Sequence, residues 1–184
     1  MQDITDDIIE KAAEGDPGSF EAIYRATSGF VFNVACRIVG NRQDAQEVTQ
    51  EVFLTVYHKL NSFRFQSSFK TWLYRVAANS AINYSKKVSK ERNRAVEYDD
   101  TLNSVDARVR EDMDRQGQEA QINSLLKALN PDQRACVVLR NIEGLSYQQI
   151  AGALGININT VRSRLKRGRE VLLSLQNEVM THEL

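Results

Sequence analysis

The fold is decided by one stretch of the chain, Leu145-Ser-Tyr-Gln-Gln-Ile-Ala-Gly-Ala-Leu-Gly-Ile156. Ser146 stands three residues before Gln149, which is the spacing of a capping box and predicts that a helix begins here. The isoleucine and the leucine that follow are four positions apart and therefore share one face of that helix. Gly155 then supplies the backbone freedom for a sharp turn. The stretch predicts the first helix and the turn of a helix-turn-helix motif.

The helix after this turn has two contrasting sides. Its apolar side carries Val161, Leu165 and Leu172. Amide, hydroxyl and cationic groups point the other way, and such groups bond to base edges in the major groove and to phosphates. A solvated basic face that binds nothing is the alternative, but the capping box and the turn ahead of it favour a DNA-recognition helix. The residues on this outer side are Asn159, Arg162, Ser163, Lys166 and Arg167.

The rest of the C-terminal part also has helical spacing. Apolar residues return at three- and four-residue steps from Ile122, and Asn130 should end that helix because a residue before proline avoids the α region. Breaks near Gly144 and Gly155 leave room for three further helices. We therefore place a small helical domain over residues 120–178.

The segment ahead of this domain has few apolar residues. Residues 95–118 hold seven acidic and three basic side chains, within a chain whose formal net charge is zero. Such a composition buries too little apolar surface to offset the entropy lost on ordering. Residues 91–119 are predicted to be a flexible linker, partly helical near its end.

The N-terminal part predicts a second helical domain over residues 15–90. Helical periodicity runs from Asp16 to Lys87, with breaks at Gly40-Asn41 and in the loop of residues 61–68. The last helix should begin near Ser68 or Phe69 and end near Ser89.

Aromatic and basic residues alternate on that last helix and just before it. This pattern suits single-stranded nucleic acid, because aromatic rings stack on bases and cations neutralise the phosphate backbone. A purely structural role in the core is the alternative for the aromatic rings. A helical wheel nevertheless leaves Arg75, Asn79, Lys86 and, at its edge, Trp72 away from the core, which favours binding. The residues concerned are Phe63, Phe65, Phe69, Trp72, Tyr74, Tyr84, Arg64, Lys70, Arg75, Lys86 and Lys87.

Composition narrows the class of protein. Nine glycines and two prolines in 184 residues favour helices. No apolar run reaches the roughly 18 residues of a membrane span, so we expect neither a signal peptide nor a membrane segment, and a cytoplasmic protein. Cys36 and Cys136 lie far apart without a CxxC motif, so we expect buried thiols, no metal site and no cofactor.

Three motifs make a family recognisable. They are Asp44-Ala-Gln-Glu-Val-Thr-Gln-Glu-Val-Phe53, then Phe69-Lys-Thr-Trp-Leu-Tyr-Arg-Val-Ala-Ala-Asn79, then Leu145-Ser-Tyr-Gln-Gln-Ile-Ala with Thr160-Val-Arg-Ser-Arg164. In this order and spacing the chain resembles the extracytoplasmic-function (ECF) sigma factors over about residues 15–90 and 120–175. The resemblance implies an all-α fold of two small domains, a sigma region 2 helical bundle and a sigma region 4 helix-turn-helix, joined by a flexible linker.

The resemblance also implies a function, which is promoter-specific transcription initiation without catalysis. Region 2 would bind the clamp helices of the largest polymerase subunit and the melted -10 strand, and region 4 would read the -35 duplex near the flap of the second-largest subunit. The residues implied for core polymerase are Asp44, Gln46, Glu47, Gln50 and Glu51. Those for the -10 strand are Phe63, Arg64, Phe65, Ser68, Trp72, Arg75, Asn79, Lys86 and Lys87. Those for the -35 duplex are Asn159, Thr160, Arg162, Ser163, Arg164, Lys166 and Arg167.

The resemblance makes an anti-sigma protein a candidate partner and implies no small-molecule substrate. One departure from the family pattern is the loop of residues 63–68, which lacks the glycine often found there and leaves the identity of a flipped base open. Three other functions remain alternatives. They are a dimeric operator-binding regulator, a metal-dependent nuclease using Asp99, Asp100 and Asp106, and an interaction module for acidic proteins.

Overall fold

The computed structural model describes residues 4–96 and 115–182, and over these two ranges the chain is all-α, as predicted. None of the helices within them is both long and apolar enough to cross a membrane. A 3₁₀ turn, Leu60–Ser62, follows α3, and a π turn, Val138–Ile142, follows α6. The helices are α1 Asp6–Ala13, α2 Pro17–Val39, α3 Arg42–Lys59, α4 Phe69–Val96, α5 Arg115–Lys127, α6 Pro131–Val137, α7 Tyr147–Leu154 and α8 Ile158–His182.

The predicted linker is partly helical at both ends. Helix α4 continues past the expected end near Ser89 to Val96, and α5 already begins at Arg115. The middle of the linker, residues 97–114, lies outside the described residues, and so do Asp99, Asp100 and Asp106 of the nuclease hypothesis.

Helices α1 to α4 form the N-terminal unit. Asp16 caps α2 by accepting a hydrogen bond from the backbone NH of Ser19 at 2.7 Å. The break predicted at Gly40-Asn41 is confirmed, because Gly40 ends α2 in the left-handed region at φ 90° and Asn41 caps α3. Helix α1 was not predicted, although it buries Ile9 and Ala12. Fully buried side chains from the other three helices include Ile23, Val34, Val48, Val52, Leu73 and Ala77.

Helices α5 to α8 form the C-terminal unit and contain the predicted helix-turn-helix. Both halves of the predicted capping box are present, since Ser146 and Gln149 each bond to the other's backbone NH. Gly155 ends α7 in the left-handed region at φ 65°. Helix α5 ends at Lys127, three residues before the predicted end at Asn130, and Asn130 is instead the N-cap of α6, where it forms a second capping box with Gln133.

Gly168 lies where α8 packs tightly against α6. A Cβ atom there would lie 3.1 Å from Cγ2 of Val137. Because overpacking in a tight core costs about 1–3 kcal/mol, we expect Gly168→Val to lower the free energy of unfolding by about 2 kcal/mol. Denaturant unfolding measures this, with Gly29→Val as control because a Cβ at Gly29 meets nothing within 4 Å. Equal effects of the two variants would contradict the close packing.

The two units pack against each other, and their apolar residues form one continuous core. Arg134 of α6 is buried between them and donates to the carbonyl of Ile38 at 2.9 Å and to those of Lys127 at 3.0 Å and Leu129 at 2.9 Å. Burial lowers the pKa of Arg134, but a guanidinium stays charged in proteins. These carbonyls lie at the C-terminal ends of α2 and α5, where the helix dipole favours a cation. Arg134 therefore joins the last turns of two helices from different units.

Candidate nucleic-acid and polymerase interfaces

The outer face of α8 has the arrangement expected for the -35 contacts. Asn159, Arg162, Ser163, Lys166 and Arg167 are all exposed, while Val161 and Leu165 are buried beneath them. Arg162 Nη1 donates to Asn159 Oδ1 at 2.9 Å, which holds the guanidinium over the first turn. We call these five exposed residues the α8 face.

Two other residues assigned to the -35 duplex lie differently. Thr160 is half-buried, and Arg164 turns towards α6, where its Nη1 lies 3.2 Å from Oδ1 of Asp132. Arg164 also lies near the Cys136 thiol, and burial of that thiol raises its pKa to about 11. The structure therefore does not bring Arg164 onto the α8 face.

The loop before α4 carries an aromatic cluster of Phe63, Phe65, Phe69 and Trp72, which we call the loop cluster. The Phe63 ring lies 4.8 Å from that of Phe65 and 5.5 Å from that of Trp72, while Phe69 and Trp72 stack at 5.7 Å. Phe63 and Phe69 are buried and form its base. Phe65 and the half-buried Trp72 are the rings that reach the surface.

Phe65 has an unusual backbone. Among the described residues it alone, apart from glycines, has a positive φ, at 53°. The left-handed region is costly for a bulky side chain. Phe65 is also 42% exposed. The backbone strain and the exposed ring occur at the same residue.

The polar residues assigned to the -10 strand that lie nearest the loop, together with one further along α4, are Arg64, Ser68 and Lys87. Ser68 is exposed and its Oγ accepts from the backbone NH of Thr71 at 3.2 Å, so it caps α4. Arg64 Nη1 donates to the carbonyl of Asn61 at 3.3 Å, and Lys87 is exposed. Because Ser68 caps α4, it also has a structural role.

Arg75, Asn79 and Lys86 are held by the C-terminal unit. Arg75 donates to the carbonyl of Gly152 from Nε at 3.0 Å and from Nη2 at 2.6 Å. Asn79 Nδ2 donates to the carbonyl of Ala153 at 3.1 Å, and Lys86 Nζ lies 2.8 Å from Oδ2 of Asp132. Nothing in the sequence pattern indicated these contacts.

The residues assigned to core polymerase lie along α3. Gln46, Glu47, Gln50 and Glu51 are exposed, and Asp44 is half-buried in the first turn. The Tyr84 hydroxyl of α4 lies 3.1 Å from Oδ1 of Asp44 and 3.0 Å from Oε2 of Glu47. Desolvation raises the pKa of Tyr84, and the hydrogen bonds to Glu47 and Asp44 raise it further, so the hydroxyl stays a donor. Tyr84 fixes two of the predicted carboxylates in place.

Two apolar residues of α3 were missed by the sequence analysis. Leu54 is 62% exposed and Tyr57 is 57% exposed. With Gln46 and Gln50 they follow helical spacing and form one stripe, which we call the α3 stripe. The signal was present, since these positions lie opposite the buried Val48, Val52 and Val56. Exposed apolar groups beside amides are typical of a protein-binding surface.

Comparison with known proteins agrees with the fold. The family model Sigma-70 region 2 matches residues 23–91, and the model Sigma-70, region 4 matches residues 119–172. The ECF RNA polymerase sigma-E factor of Escherichia coli is 31% identical over 188 residues, covering 93% of this chain and 94% of that protein. The chain is an ECF sigma factor. The RNA polymerase sigma-H factor of Pseudomonas aeruginosa is 33% identical over 174 residues, covering 90% of each chain.

Solved structures share the fold of this sigma factor. CnrH, solved in complex with the cytosolic domain of CnrY, has a TM-score of 0.67 and 22% identity, covering 96% of this chain and 99% of CnrH. The sigma factor RpoE from Bartonella quintana, solved with the anti-sigma factor NepR, has a TM-score of 0.67 and 23% identity, covering 86% and 96%.

Membership in the family gives the function at the level of the whole chain. This sigma factor recognises promoters for RNA polymerase and acts in transcription initiation. The dimeric regulator and the interaction module are therefore wrong as descriptions of the chain. Among the described residues, no group of three or more His, Cys, Asp or Glu side chains is placed to hold a metal ion.

Proposed function

We propose that this sigma factor reads the -35 duplex with the α8 face and binds the melted -10 strand with the loop cluster and the adjoining polar side chains of α4. The observation that carries the proposal is the exposure of all five residues of the α8 face on the helix that follows a capped helix-turn-helix. Their amide, hydroxyl and guanidinium groups match the hydrogen-bonding edges of bases and the charge of phosphates.

The polymerase would dock on α3. Gln46, Glu47, Gln50 and Glu51 supply exposed polar groups, and Leu54 and Tyr57 add apolar area beside them. Apolar and aromatic anchors surrounded by polar groups are the usual composition of a protein interface. We assign the α3 surface to the clamp helices of the largest subunit and the C-terminal unit to the flap of the second-largest subunit.

The remaining assignments follow from the same reading. The protein acts without catalysis and in the cytoplasm. Its region 2 covers about residues 15–90 together with α1, its linker covers residues 91–119 and its region 4 covers residues 120–178. An anti-sigma protein is the expected regulator, because structurally similar sigma factors have been solved with such partners.

Transcription in vitro tests the proposed function. Purified core polymerase transcribes a fragmented bacterial genome with and without this protein, and new start sites are mapped. Discrete starts that share two spaced upstream elements support the proposal and give both promoter sequences. Specific binding of fragments by the protein alone, without new starts, would contradict the assigned roles of α3 and the loop cluster.

The loop cluster gives a specific prediction. Phe65→Ala should weaken binding of the mapped -10 strand roughly tenfold to a hundredfold, because stacking contributes about 1–3 kcal/mol per base. Fluorescence anisotropy of the labelled strand with the polymerase holoenzyme measures this. Tyr24→Ala is the control, since Tyr24 is also an exposed aromatic residue and lies outside the loop cluster. Unchanged strand binding by Phe65→Ala would remove Phe65 from the site.

A further inference from the structure

Helix α1 carries none of the residues assigned to DNA or to polymerase, yet it packs against the segment that leads into the -10 loop. Its apolar side is buried, and Ile9 on that side is only 2% exposed. Helix α1 lies against α2 and against the 3₁₀ turn Leu60–Ser62, which joins α3 to the loop of residues 63–68. Leu60, the first residue of this turn, is 1% exposed. The start of the loop is therefore packed against α1.

The direction of α1 is fixed by the way the helix ends. Gly15 follows it in the left-handed region at φ 98°, and its NH donates to the carbonyl of Ala12 at 3.1 Å. The NH of Asp16 donates to the carbonyl of Lys11 at 3.0 Å. These two hydrogen bonds form the Schellman motif, which closes a helix and sets the path of the chain after it. Because Asp16 also caps α2, the angle between α1 and α2 is fixed locally.

The turn Leu60–Ser62 places the base of the loop cluster. The NH of Phe63 donates to the carbonyl of Leu60 at 3.0 Å, so Phe63 is bonded directly to the turn. Phe63 is buried, and its ring lies 4.8 Å from the ring of Phe65 and 5.5 Å from that of Trp72. A displacement of the turn would therefore move Phe63 and, through it, both rings that reach the surface.

The loop after this turn depends on its two ends. Among the described residues, no backbone–backbone hydrogen bond involves residues 64–67. The conformation of the loop is therefore set by the packing of its rings, by the turn Leu60–Ser62 at its start and by the Ser68 cap of α4 at its end. Phe65 keeps its positive φ of 53° only because the surroundings impose it. Helix α1 supports one of the two ends that impose it.

We propose that α1 is a positioning element of the -10 strand site, and that Ile9 holds the turn Leu60–Ser62 and with it the loop cluster in the conformation that binds the strand. This inference rests on the proposed function. Stacking on bases requires the rings of Phe65 and Trp72 at a fixed place and angle. A loop that adopts several conformations loses affinity although both rings are still present, because binding must then order the loop.

Ile9→Ala tests the proposal on the full chain, with Ile38→Ala as its matched control. Ile38 is also a buried isoleucine, so the same truncation leaves a comparable cavity. The rings of Phe20 and Tyr57 lie 5.2 Å apart, which places the start of α2 beside the end of α3 and the turn that follows it. Ile38 lies near the other end of α2, roughly 27 Å from Phe20 at about 1.5 Å per residue. Both variants should be less stable, but only Ile9→Ala should disturb the loop cluster.

Trp72 is the only tryptophan of the chain, so its fluorescence in the free protein reports on the loop cluster directly. The ring is half-buried in the wild type. In Ile9→Ala its emission should move to longer wavelength and acrylamide should quench it more strongly, because the ring becomes more exposed to water. Ile38→Ala should keep the wild-type emission and quenching. A role in stability alone would lower the melting temperature of both variants and change the emission of neither folded protein.

Binding of the -10 strand is the second readout. Fluorescence anisotropy of the mapped strand with the polymerase holoenzyme should show roughly tenfold weaker binding for Ile9→Ala, which corresponds to the loss of about one base stack. Ile38→Ala should bind the strand nearly as well as the wild type, and both variants should keep their affinity for core polymerase. Ile9→Val, with Ile38→Val as its control, removes one methyl group and should shift the Trp72 emission in the same direction by less. This milder pair decides the question if Ile9→Ala does not fold.

The outcomes separate this inference from the proposed function. If Trp72 emission and quenching in the Ile9 variants match those in the Ile38 variants, α1 does not position the loop cluster and the inference is wrong. A shifted emission with unchanged strand affinity would overturn it equally if Phe65→Ala weakens strand binding, because the loop would then bind without the support of α1. If Phe65→Ala also leaves strand affinity unchanged, the proposed function itself is wrong and the role of α1 in strand binding falls with it.

Discussion

Arg162→Ala combined with Arg167→Ala should weaken binding of the -35 duplex roughly thirtyfold or more. Each lost phosphate or base contact costs about 1–3 kcal/mol, and about 1.4 kcal/mol corresponds to a factor of ten. Both side chains are exposed on α8, so their removal should leave the core of the C-terminal unit intact. Fluorescence anisotropy of the mapped -35 duplex measures the loss. The slope of log affinity against log salt should also fall by roughly 1 to 2.

The matched control removes two cations elsewhere. Lys11→Ala combined with Arg25→Ala deletes the same charge, but these side chains pair with Asp7 and Glu21 on the exposed surface of the N-terminal unit. The control should bind the duplex nearly as well as the wild type. Equal losses in both double variants would mean that the duplex senses net charge only, and that the α8 face is not a recognition surface. Loss of polymerase affinity together with duplex binding would indicate misfolding.

Local sequence signals predicted most of the fold because they act over a few residues. The capping box of Ser146 and Gln149, the left-handed Gly155 and the break at Gly40-Asn41 are each satisfied by neighbours in the chain. Such signals do not depend on tertiary packing, so the structure reproduces them. The end of α4 was misjudged because Lys90 to Val96 carry little apolar surface and helix ends are weakly specified.

The contact between the two units could not be predicted in the same way. Arg134 is a buried cation whose acceptors are backbone carbonyls, among them that of Ile38, almost a hundred positions away. Backbone acceptors exist at every residue, so no residue type in the sequence marks the partner. The same holds for Arg75 and Asn79, which donate to carbonyls of α7. A helical wheel shows that a cationic side chain is an exposed hydrogen-bond donor. It does not show which acceptor that side chain bonds to.

The residues assigned to the -10 strand differ in whether they bond to the C-terminal unit. Phe65 and Lys87 are exposed without a contact to the described part of the C-terminal unit that would hold them, whereas Arg75 and Lys86 are exposed and also bond to that unit. Asp132 is shared, since it pairs with both Lys86 and Arg164.

Leu54→Asp should weaken binding to core polymerase roughly a hundredfold or more. Leu54 is 62% exposed in the free protein, so the substitution should change folding stability by less than about 0.5 kcal/mol. In the complex the new carboxylate would replace an apolar anchor and lose its hydration without a designed partner. Interface anchors contribute about 2 kcal/mol or more, and an unpaired buried charge adds to the loss. Titration of labelled core polymerase with the variant measures the change in Kd.

Leu173→Asp is the matched control, because Leu173 is a 52% exposed leucine on α8, away from the α3 stripe. The two variants introduce the same charge at a similarly exposed helical position, so a difference between them reports on the surface and not on the residue type. Because Leu173 belongs to the unit assigned to the flap, the two variants are compared on a clamp-helix fragment of the largest subunit alone, for which we expect Leu173→Asp to keep near-wild-type affinity. Retained affinity in Leu54→Asp would move the polymerase contact off the α3 stripe. Polymerase binding would then depend on the neighbouring carboxylates, and Glu47→Lys with Glu51→Lys would show the larger loss.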